Sequence, residues 1–528
     1  MKKLTNNYLF LSLAAGLLLW LAWPPFVTAP LAFIGFVPLF MLQQQIQENN
    51  LKNRVLFFYV FVAMLMWNLA TTWWVYHASP AAVAAFVLNA LLMTLPWLGF
   101  HLTRKVFGDK LAYPAFICYW LAFEYLHLNW QISWPWLTLG NVFATLPNMV
   151  QWYEFTGFLG GSLWVLLTNI LVFKLIQSYT RPRVINLAVT VLLPLISSYI
   201  ILNALTTTDG TREQDVANVS VIQPNIDPYT DKFGGKTPQE QVQIMLQLAE
   251  ESVTPKTRLV MFPETSLTQP IEEEEINNSS AILQLREFCR KHKVSILTGA
   301  DTRHHFKEGE KLTATARKYS DADVYFDAYN TALLIDSTDS VKIYHKSKLV
   351  PGVEILPYPS VFRPIEKLFD LGGTSGSLGI QDDAEVFITA DSMHIAPIIC
   401  YESVYGDWVG RYVRQGADLL CIITNDGWWR NTPGYRQHLH YARLRAIEMR
   451  RNIARSANTG ISAFINYKGE IEEHTNWWVP AQLNRTTYLK QDMTWYAQNG
   501  DYIGKIGAWI GIIIFLSTFV KRIVRKGH

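Results

Sequence analysis

Closely paired cysteines and an even spread of charge are both missing from this sequence of 528 residues. The chain has four cysteines, Cys118, Cys289, Cys400 and Cys421, and no two of them form a CxxC pair. This spacing argues against a disulfide framework and gives no sign of a metal site or a dithiol redox site. Charged residues make up only 17% of the chain and fall mostly between about residues 209 and 500. We therefore predict apolar regions at both ends and a polar region between them.

Long apolar runs dominate both ends of the chain. A transmembrane helix needs about 20 mostly apolar residues to cross the bilayer. We predict eight spans, at Tyr8–Trp23, Pro30–Leu42, Val55–Tyr76, Ala81–Leu102, Ala112–Leu128, Gly160–Ile176, Ile185–Leu205 and Ile506–Val520. The second run is short enough to be re-entrant. The first resembles a signal peptide but lacks a small-residue cleavage site, so we interpret it as retained.

The basic residues of the apolar regions alternate with the predicted spans. Under the positive-inside rule, Lys and Arg collect in cytoplasmic loops. With the N-terminus inside, the inside segments and adjoining span ends hold Lys2, Lys3, Lys52, Arg54, Arg104, Lys105, Lys110, Lys174, Arg181, Arg183, Lys521, Arg522, Arg525 and Lys526. The short outside loops hold none. We therefore predict cytoplasmic termini and a polar domain outside the cytoplasm. The net charge of +3 is explained by these residues, so no nucleic-acid partner is predicted.

The polar region alternates short β-branched runs with amphipathic segments, a pattern typical of a layered α/β domain. We predict strands at Val219–Ile222, Leu259–Phe262, Val294–Leu297, Thr331–Ile335, Ile395–Ile399 and Leu419–Ile423. The predicted organisation is a transmembrane bundle of seven helices over 1–208, a catalytic domain over 209–500, and a final helix with a cytoplasmic tail over 501–528.

Three chemically complementary residues follow predicted strands or lie near them. Glu264 follows the second strand, Cys400 follows the fifth, and Lys346 lies beyond the fourth. A thiol needs a neighbour to take its proton before it acts as a nucleophile. Glu264 suits that role, while Lys346 and the backbone N–H of Tyr401 suit stabilisation of an oxyanion.

Other interpretations compete with this one at single residues. A lone cysteine at a strand end is usually a small core residue. Cys421, inside the apolar run Leu419–Ile423, is expected to be a core residue. Lys348 lies two positions from Lys346, and spacing alone does not separate them. His438 and His440 are expected on a solvated helix surface rather than as metal ligands.

The chain resembles the nitrilase superfamily, in which a Glu-Lys-Cys triad sits on a four-layer α-β-β-α sandwich. The matching segments, in order, are Phe262-Pro263-Glu264, Tyr344-His345-Lys346-Ser347-Lys348-Leu349, Ile399-Cys400-Tyr401-Glu402, Thr424-Asn425-Asp426-Gly427-Trp428-Trp429 and Arg445 through Gly460. Because spans flank this domain, the chain looks like the membrane-embedded branch, the apolipoprotein N-acyltransferase family. Trp134-Pro135-Trp136-Leu137, Gly140-Asn141 and Gln223-Pro224-Asn225-Ile226 are similar to that family's signatures.

The resemblance implies roles for particular residues. Glu264 is the implied base, Cys400 the nucleophile, and Lys346 rather than Lys348 the oxyanion-stabilising lysine. Glu354 is the implied second glutamate, and Tyr401 and Glu402 are supporting residues. The family's Pro-Phe-Gly-Glu loop reads Pro351-Gly352-Val353-Glu354 here, with the glycine moved and the aromatic absent, so we expect the loop backbone to differ from the family's.

The resemblance also implies a reaction. An acyl chain would pass from a phospholipid through a thioester to the α-amino group of a diacylglyceryl-cysteine on a lipoprotein, with no cofactor, at the inner membrane of a bacterium with the catalytic domain in the periplasm. Trp428, Trp429, Trp477 and Trp478 either touch lipid or simply pack beneath the domain. One alternative is a membrane-anchored amidase with water as acceptor. Another is a non-enzymatic transporter or receptor.

Overall fold

The computed structural model describes residues 7–78, 82–208, 216–320, 322–358 and 377–527. The chain divides into two compact units. The first lies within 1–76, 80–205 and 499–528, and the second within 77–79 and 206–498. Lys2, Lys3, the first residue of the fourth predicted span and the boundary after residue 208 lie outside the described residues.

The first unit is helical. Its helices are α1 (Tyr8–Ala22), α2 (Ala32–Gly35), α3 (Val37–Glu48), α4 (Asn53–Thr72), α5 (Ala82–Phe107), α6 (Asp109–Asn129), α7 (Tyr153–Thr156), α8 (Phe158–Gln177), α9 (Arg181–Thr208) and α15 (Tyr502–Gly527). Among the described residues, six helical stretches are long and apolar enough to cross a membrane. They are Ala29–Glu48, Asn53–His77, Val83–Phe107, Phe158–Gln177, Arg181–Leu205 and Tyr502–Val524. The chain therefore has several membrane-spanning candidates in its N-terminal region and one near its end.

Two further predicted spans form helices but are not among the six. Helix α1 has only 15 residues. Helix α6 has 21 residues and carries a buried carboxyl group, that of Glu124. Glu124 Oε1 accepts hydrogen bonds from Trp120 Nε1 at 2.9 Å and from the backbone N–H of Leu139 at 2.7 Å. This side chain therefore ties α6 to the chain that follows it.

The loop after α6 is buried and folds as short 3₁₀ turns at Pro135–Leu137, Leu139–Thr145 and Pro147–Met149. Gly140 has no room for a side chain, because a Cβ there would lie 1.8 Å from the carbonyl oxygen of Phe158. Its own carbonyl accepts a hydrogen bond from the Tyr153 hydroxyl at 2.9 Å. The glycine thus lets this loop pack against the start of α8.

The second predicted span, expected to be short enough to be re-entrant, is a 20-residue helical stretch. It runs over Ala29–Glu48 with a break at Phe36, where α2 ends and α3 begins. The sequence suggested an end at Leu42 because glutamines follow. Gln43 is nevertheless buried, and its amide contacts His101 at 2.9 Å and Arg104 at 2.7 Å. Internal partners for this amide allow the helix to continue.

The second unit contains two β-sheets. The strands are β1 (Val216–Gln223), β2 (Thr257–Met261), β3 (Leu267–Glu272), β4 (Ser295–His305), β5 (Arg317–Lys318), β6 (Tyr325–Ile335), β7 (Val341–His345), β8 (Phe387–Ile388), β9 (His394–Ile399), β10 (Leu419–Thr424), β11 (Asn452–Ala457), β12 (Ala463–Ile465), β13 (Ile471–His474) and β14 (Ala481–Tyr488). The eight-stranded sheet runs β14-β1-β2-β4-β6-β5, with β3 paired to β4 and β7 to β6. The six-stranded sheet runs β13-β12-β11-β10-β9-β8. Strands β1, β2 and β4 are mutually parallel, as are β9, β10 and β11.

Helices lie against both sheets. Helices α10 (Pro238–Ser252) and α11 (Ser280–His292) contact strands of the first sheet, including β1 and β4. Helices α12 (Gly406–Arg414) and α13 (Pro433–Met449) contact strands of the second, including β9 and β11. Strand β1 contacts β11, and β6 contacts β9. A short helix, α14 (Trp495–Asn499), ends near the boundary of the unit.

All of the predicted strands are present, because apolar runs buried on both faces are the clearest strand signal. Strands β3, β5, β7, β8, β11, β12, β13 and β14 were not among the six predicted strands. Strand β7 alternates polar and apolar residues and stays half-buried over most of its length. Strands β13 and β14 are largely polar and half-exposed, so short apolar runs do not mark them.

Candidate active site

The ends of three strands carry the three residues singled out above. Glu264 follows β2, Lys346 follows β7 and Cys400 follows β9, each within three residues of the strand end. All three side chains are buried. Lys346 thus lies directly after a strand that the sequence did not reveal.

Glu264, Lys346, Glu354 and Asn330 form what we call the ionic cluster. The Lys346 ammonium donates to Glu264 Oε1 at 2.8 Å and to Glu354 Oε1 at 2.7 Å. Asn330 Nδ2 donates to the same two oxygens, at 2.8 and 3.1 Å. Two carboxylates therefore share one ammonium and one amide.

The backbone at Glu264 depends on a glycine in the neighbouring strand. A Cβ at Gly299 would lie 2.4 Å from the N of Thr265 and 2.6 Å from the Cα of Glu264. Thr265 itself has φ +50°, a conformation that β-branched residues rarely adopt. The close approach of β4 thus fixes the turn that presents Glu264.

The ionic cluster determines which groups at the site carry protons. Burial raises the pKa of Glu264, but the Lys346 ammonium and Asn330 outweigh it, so the pKa lies below its usual range. Burial lowers the pKa of Lys346, and the carboxylates of Glu264 and Glu354 raise it well above normal. Burial and the Glu264 charge raise the pKa of the Cys400 thiol well above normal. At neutral pH the site therefore holds a carboxylate beside a neutral thiol, the starting state for general-base catalysis.

The last residue of β10 and the residue that follows it connect the thiol to the base. Thr424 Oγ1 lies 3.2 Å from Cys400 Sγ, and the N–H of Asn425 donates to Glu264 Oε2 at 3.1 Å. Thr424 Oγ1 also lies 2.8 Å from Asp426 Oδ1. Because the hydroxyl has one proton, the Asp426 carboxylate and the sulfur compete for it. Consecutive residues thus contact Cys400 and Glu264.

The remaining predicted residues lie around this centre. Glu354 joins the ionic cluster despite the altered loop, and its Oε2 accepts from the N–H of Val350 at 2.7 Å. Glu402 is fully buried, and its Oε1 accepts from Tyr344 Oη and from the N–H of Ser347, both at 2.7 Å. It therefore anchors the segment that carries Lys346.

Tyr401 and Lys348 also have defined surroundings. Tyr401 is buried, and its ring packs edge-on against Tyr405 at 5.3 Å. The Lys348 ammonium lies over the rings of Trp408 and Tyr405, at 5.0 and 5.3 Å. Of the two lysines, Lys346 is the one hydrogen-bonded to Glu264.

His438 contradicts the expectation of a solvated surface. It is 1% exposed, because helix α13 is buried around most of its circumference. Its Nδ1 lies 2.9 Å from Asp426 Oδ1, and Asp426 Oδ2 lies 2.5 Å from Arg455 Nη2. Burial raises the pKa of Asp426, but Arg455 and His438 outweigh it, so the pKa lies well below normal. Nδ1 faces a carboxylate that is already ion-paired.

Cys400, Asp426 and His438 are the one group of possible metal ligands within the described ranges, with donor atoms within 4.8 Å of one another. The Arg455 guanidinium forms an ion pair with Asp426 Oδ2. Because this fixed positive charge repels a second cation, it disfavours a metal ion here. We therefore interpret this group as a hydrogen-bond network.

Lys232 is a second buried lysine at the site, 3% exposed. Its ammonium donates to the carbonyl oxygen of Glu264 at 3.3 Å. Burial lowers its pKa to about 8, against the opposing charges of Asp301, Glu264 and Cys400. Burial in turn raises the pKa of Asp301 to about 7, although the Lys232 charge opposes that shift.

Sequence reasoning missed several of these residues. Asn330 lies within β6, where an amide is unusual, and that position was a usable signal. Lys232 lies in a polar turn and gives no such signal, because its burial is a tertiary effect. Asp426 and Arg455 lie inside the segments that match the family, but the sequence offered no reason to assign either a role, because their partners are known only from the structure.

Comparison with known proteins covers both units. A family model described as "Apolipoprotein N-acyltransferase N-terminal domain" matches residues 15–171, and one described as "Carbon-nitrogen hydrolase" matches residues 218–486. The apolipoprotein N-acyltransferase of Chlorobaculum tepidum is 30% identical over 99% of this chain and 98% of its own. That of Geobacter metallireducens is 25% identical over 94% of this chain and 92% of its own. An amidase from Nesterenkonia sp. superposes with TM-score 0.37 at 16% identity, over 56% of this chain and 98% of its own.

The match at full length to the Chlorobaculum tepidum protein joins the helical unit and the carbon–nitrogen hydrolase unit in one architecture. The resemblance read from the sequence is thereby confirmed: the chain belongs to the apolipoprotein N-acyltransferase family.

Proposed function

We propose that this chain transfers an acyl chain from a membrane phospholipid to the α-amino group of a diacylglyceryl-cysteine at the start of a lipoprotein. The main observation behind this proposal is the ionic cluster beside Cys400, where Lys346 Nζ lies 2.8 Å from Glu264 Oε1. Thr424 contacts the thiol, and the N–H of Asn425 donates to Glu264. Acyl transfer needs a nucleophile, a base and an oxyanion donor, and each is available here.

In the first half-reaction, Cys400 Sγ attacks the ester carbonyl carbon of the phospholipid and its proton passes to Glu264. The carbonyl oxygen becomes an oxyanion that accepts from the third N–H of Lys346 and from the backbone N–H of Tyr401. Collapse breaks the bond to the glycerol oxygen, which takes the proton from Glu264. The products are a Cys400 thioester and a lysophospholipid.

In the second half-reaction, the acceptor amine attacks the thioester carbonyl. A free α-amino group has a pKa of about 7.7–8.0, so an appreciable fraction is neutral near pH 7. Glu264 takes a proton from the attacking nitrogen, and the carbon–sulfur bond breaks. Cys400 then regains a proton from Glu264, which completes a ping-pong cycle.

The substrates of this reaction are lipid-anchored, which explains why the catalytic domain is joined to apolar helices. We place eight spans in the inner membrane of a bacterium, with both termini in the cytoplasm and the catalytic domain in the periplasm. The alternation of Lys and Arg between loops supports this orientation. The apolar helices α1 and α6 supply the two spans beyond the six long ones.

The catalytic domain is proposed to be a four-layer α-β-β-α sandwich within residues 209–500, preceded by a seven-helix bundle over 1–208 and followed by a last helix over 501–528. Support comes from helices lying against each sheet and from contacts of β1 with β11 and β6 with β9. The division into two compact units also supports these boundaries.

Aromatic side chains near the site are candidates to meet the acyl chain. Tyr229 and Phe233 are 41% and 46% exposed, and both pack on Trp428, with ring centroids 5.5 and 6.2 Å apart. Phe233 neighbours Lys232 in the chain. Trp477, by contrast, stacks on Tyr435 at 5.6 Å and Trp478 at 4.9 Å, which favours packing.

The amidase alternative retains the same residues but uses water as acceptor. Relatives that match nearly the whole chain are N-acyltransferases, which favours amine as acceptor over water. Burying two carboxylates around one ammonium costs desolvation free energy. A non-enzymatic protein would gain nothing from this cost, so the ionic cluster argues against the non-enzymatic alternative.

Product formation tests the proposal. The purified chain in detergent is given phosphatidylethanolamine labelled in an acyl chain and a diacylglyceryl-cysteinyl peptide. We expect labelled N-acyl peptide from the wild type and from Cys421→Ala, whose thiol is buried within β10, and none from Cys400→Ala. An α-N-acetylated peptide should stay unlabelled. Labelled free fatty acid without labelled peptide would instead identify a hydrolase.

A further inference from the structure

The backbone at Cys400 has an unusual conformation. Cys400 begins a 3₁₀ turn, Cys400–Val404, and has φ +49°, in the left-handed region that a residue with a side chain rarely occupies. Such a conformation persists only where the surroundings hold it. The contacts of this turn therefore show what fixes the nucleophile.

Two buried side chains converge on the carbonyl oxygen of Cys400. The Ser403 hydroxyl donates to it at 2.7 Å, and His438 Nε2 lies 3.2 Å away. Ser403 Oγ and His438 Nε2 are themselves 2.9 Å apart. Ser403 and His438, together called the carbonyl clamp, are each 1% exposed.

The hydrogen-bond pattern places a proton on His438 Nε2. The carbonyl oxygen only accepts, and Ser403 Oγ gives its single proton to that oxygen, so both atoms facing Nε2 act as acceptors. We assign the proton on this basis, as tautomers are assigned from their partners. Nδ1 is then an acceptor, and Arg455 Nη2, which also pairs with Asp426 Oδ2 at 2.5 Å, lies 3.2 Å from it, so the ring itself is held in place.

A fixed carbonyl also fixes the next N–H. The peptide unit is planar and trans, so the C=O of Cys400 and the N–H of Tyr401 point in opposite directions. Rotation of this unit would turn the N–H away from its site and break both clamp contacts. The clamp therefore determines where the Tyr401 N–H points.

Resting on the proposed function, we propose that Ser403 and His438 are positioning residues that aim the Tyr401 N–H at the oxyanion of the acyl-transfer intermediates. A ring nitrogen of His438 lies within 4.8 Å of Cys400 Sγ, and Nε2 contacts both Cys400 O and Ser403 Oγ. It orients the peptide, while Glu264 receives the thiol proton.

Two reactions of the same thiol separate these roles. Alkylation of Cys400 by iodoacetamide is a displacement at carbon that forms no oxyanion. Thioester formation from a phospholipid does form one. A variant that only misdirects the Tyr401 N–H should lose acylation and retain alkylation at the wild-type pH midpoint, whereas loss of the fold should impair both.

The variants are His438→Phe, which keeps a ring of similar size, His438→Gln, which returns an N–H donor, and Ser403→Ala. The matched control is His440→Phe on the same helix, where the ring contacts Arg443 at 3.3 Å. Each full-length protein in detergent is scored by mass spectrometry for alkylation of Cys400 across pH, and for single-turnover acylation by phosphatidylethanolamine. The melting temperature is recorded for each.

We expect His438→Phe to slow acylation about 10- to 100-fold, the scale of a misplaced oxyanion donor, with partial recovery in His438→Gln. Ser403→Ala should slow it less, and His440→Phe should match wild type. Alkylation rates and pH midpoints should stay within about two-fold and a few tenths of a pH unit of wild type.

Two results would overturn the clamp. One is an unchanged acylation rate in both His438→Gln and Ser403→Ala, and the other is a parallel fall in alkylation with a shifted pH midpoint, which would mean that His438 acts on the thiol itself. If His438→Phe melts early, His438→Gln and Ser403→Ala decide the question. A wild type that is alkylated but never acylated would refute the proposed function, and the clamp with it.

Discussion

Two buried polar clusters lie next to Cys400, and different forces hold them together. In the ionic cluster, one ammonium bridges the carboxylates of Glu264 and Glu354. In the carbonyl clamp, Ser403 and His438 are hydrogen-bonded to each other and to a backbone oxygen. The first cluster sets which groups carry protons, and the second sets where a backbone donor points. A side chain's distance from the thiol therefore does not reveal its role.

Glu264→Gln should have the largest effect on acyl transfer and should distinguish the role of the ionic cluster from that of the carbonyl clamp most clearly. Loss of the base should slow acyl transfer by about 10³- to 10⁴-fold. The Glu264 charge contributes to the raised pKa of the Cys400 thiol, so its removal should lower that pKa and move the midpoint of iodoacetamide alkylation to lower pH. Acylation and alkylation then change in opposite directions. Parallel losses of both would contradict this electrostatic account.

Lys346→Met should follow, because it leaves two buried carboxylates facing each other. Breaking a buried ion pair typically costs about 3–5 kcal/mol of folding free energy. We expect a lower melting temperature in detergent and acyl transfer reduced by about 10²- to 10³-fold. The matched control is Lys348→Met, whose ammonium lies over aromatic rings. Equal effects of the two substitutions would mean that the ionic cluster has no special part in acyl transfer.

Glu354→Gln should have a smaller effect, about 10-fold on acyl transfer, since Glu264 still pairs with Lys346. The amide also removes the charged acceptor of the Val350 N–H, so the loop should bind substrate less well. Steady-state kinetics should show a raised KM along with a lower kcat. A Glu472→Gln control on the exposed Arg485 pair should match wild type. A Glu354→Gln variant with wild-type kinetics would remove Glu354 from the site.

Lys232→Met should change activity least, by a few-fold, but should alter how stability depends on pH. Burial lowers the pKa of Lys232 to about 8, below its unfolded value near 10.5. A lysine with a depressed pKa releases its proton on folding, so stability rises between about pH 8 and 10. The variant should lack this rise in melting temperature, and Lys236→Met, paired with Asp231 on the surface, should keep it. The same rise in Lys232→Met would refute the assignment.

The sequence made some residues of the site predictable and not others. Glu264 and Cys400 follow predicted strands and belong to residue types with obvious chemistry, so the pattern singled them out. The pattern left Lys346 and Lys348 open, and the resemblance favoured Lys346. His438 was misinterpreted because its sequence neighbours are polar, and only the packing of α13 shows that it is internal. Lys232 and Gly299 matter through their distance to Glu264, which depends on how loops and strands far apart in sequence meet.

The strands show the same limit. Strands β1, β2, β9 and β10 are apolar runs and were found, whereas β7, β13 and β14 are polar at many positions and were not. The pairing of β7 with β6 is what places Asn330 beside Lys346, whose N–H donates to the Asn330 carbonyl at 2.8 Å. Pairing of edge strands is a tertiary choice that local periodicity does not encode.

The most direct test of the central claim is to trap the acyl-enzyme. Wild type and Cys400→Ala are incubated with phosphatidylethanolamine labelled in one acyl chain, denatured, and mapped by mass spectrometry with and without hydroxylamine. We predict a hydroxylamine-sensitive acyl group on Cys400 alone, discharged by a diacylglyceryl peptide with a free amine and retained with an N-acetylated one. Acyl transfer to the peptide from a folded enzyme that never carries an acyl group on Cys400 would contradict the account.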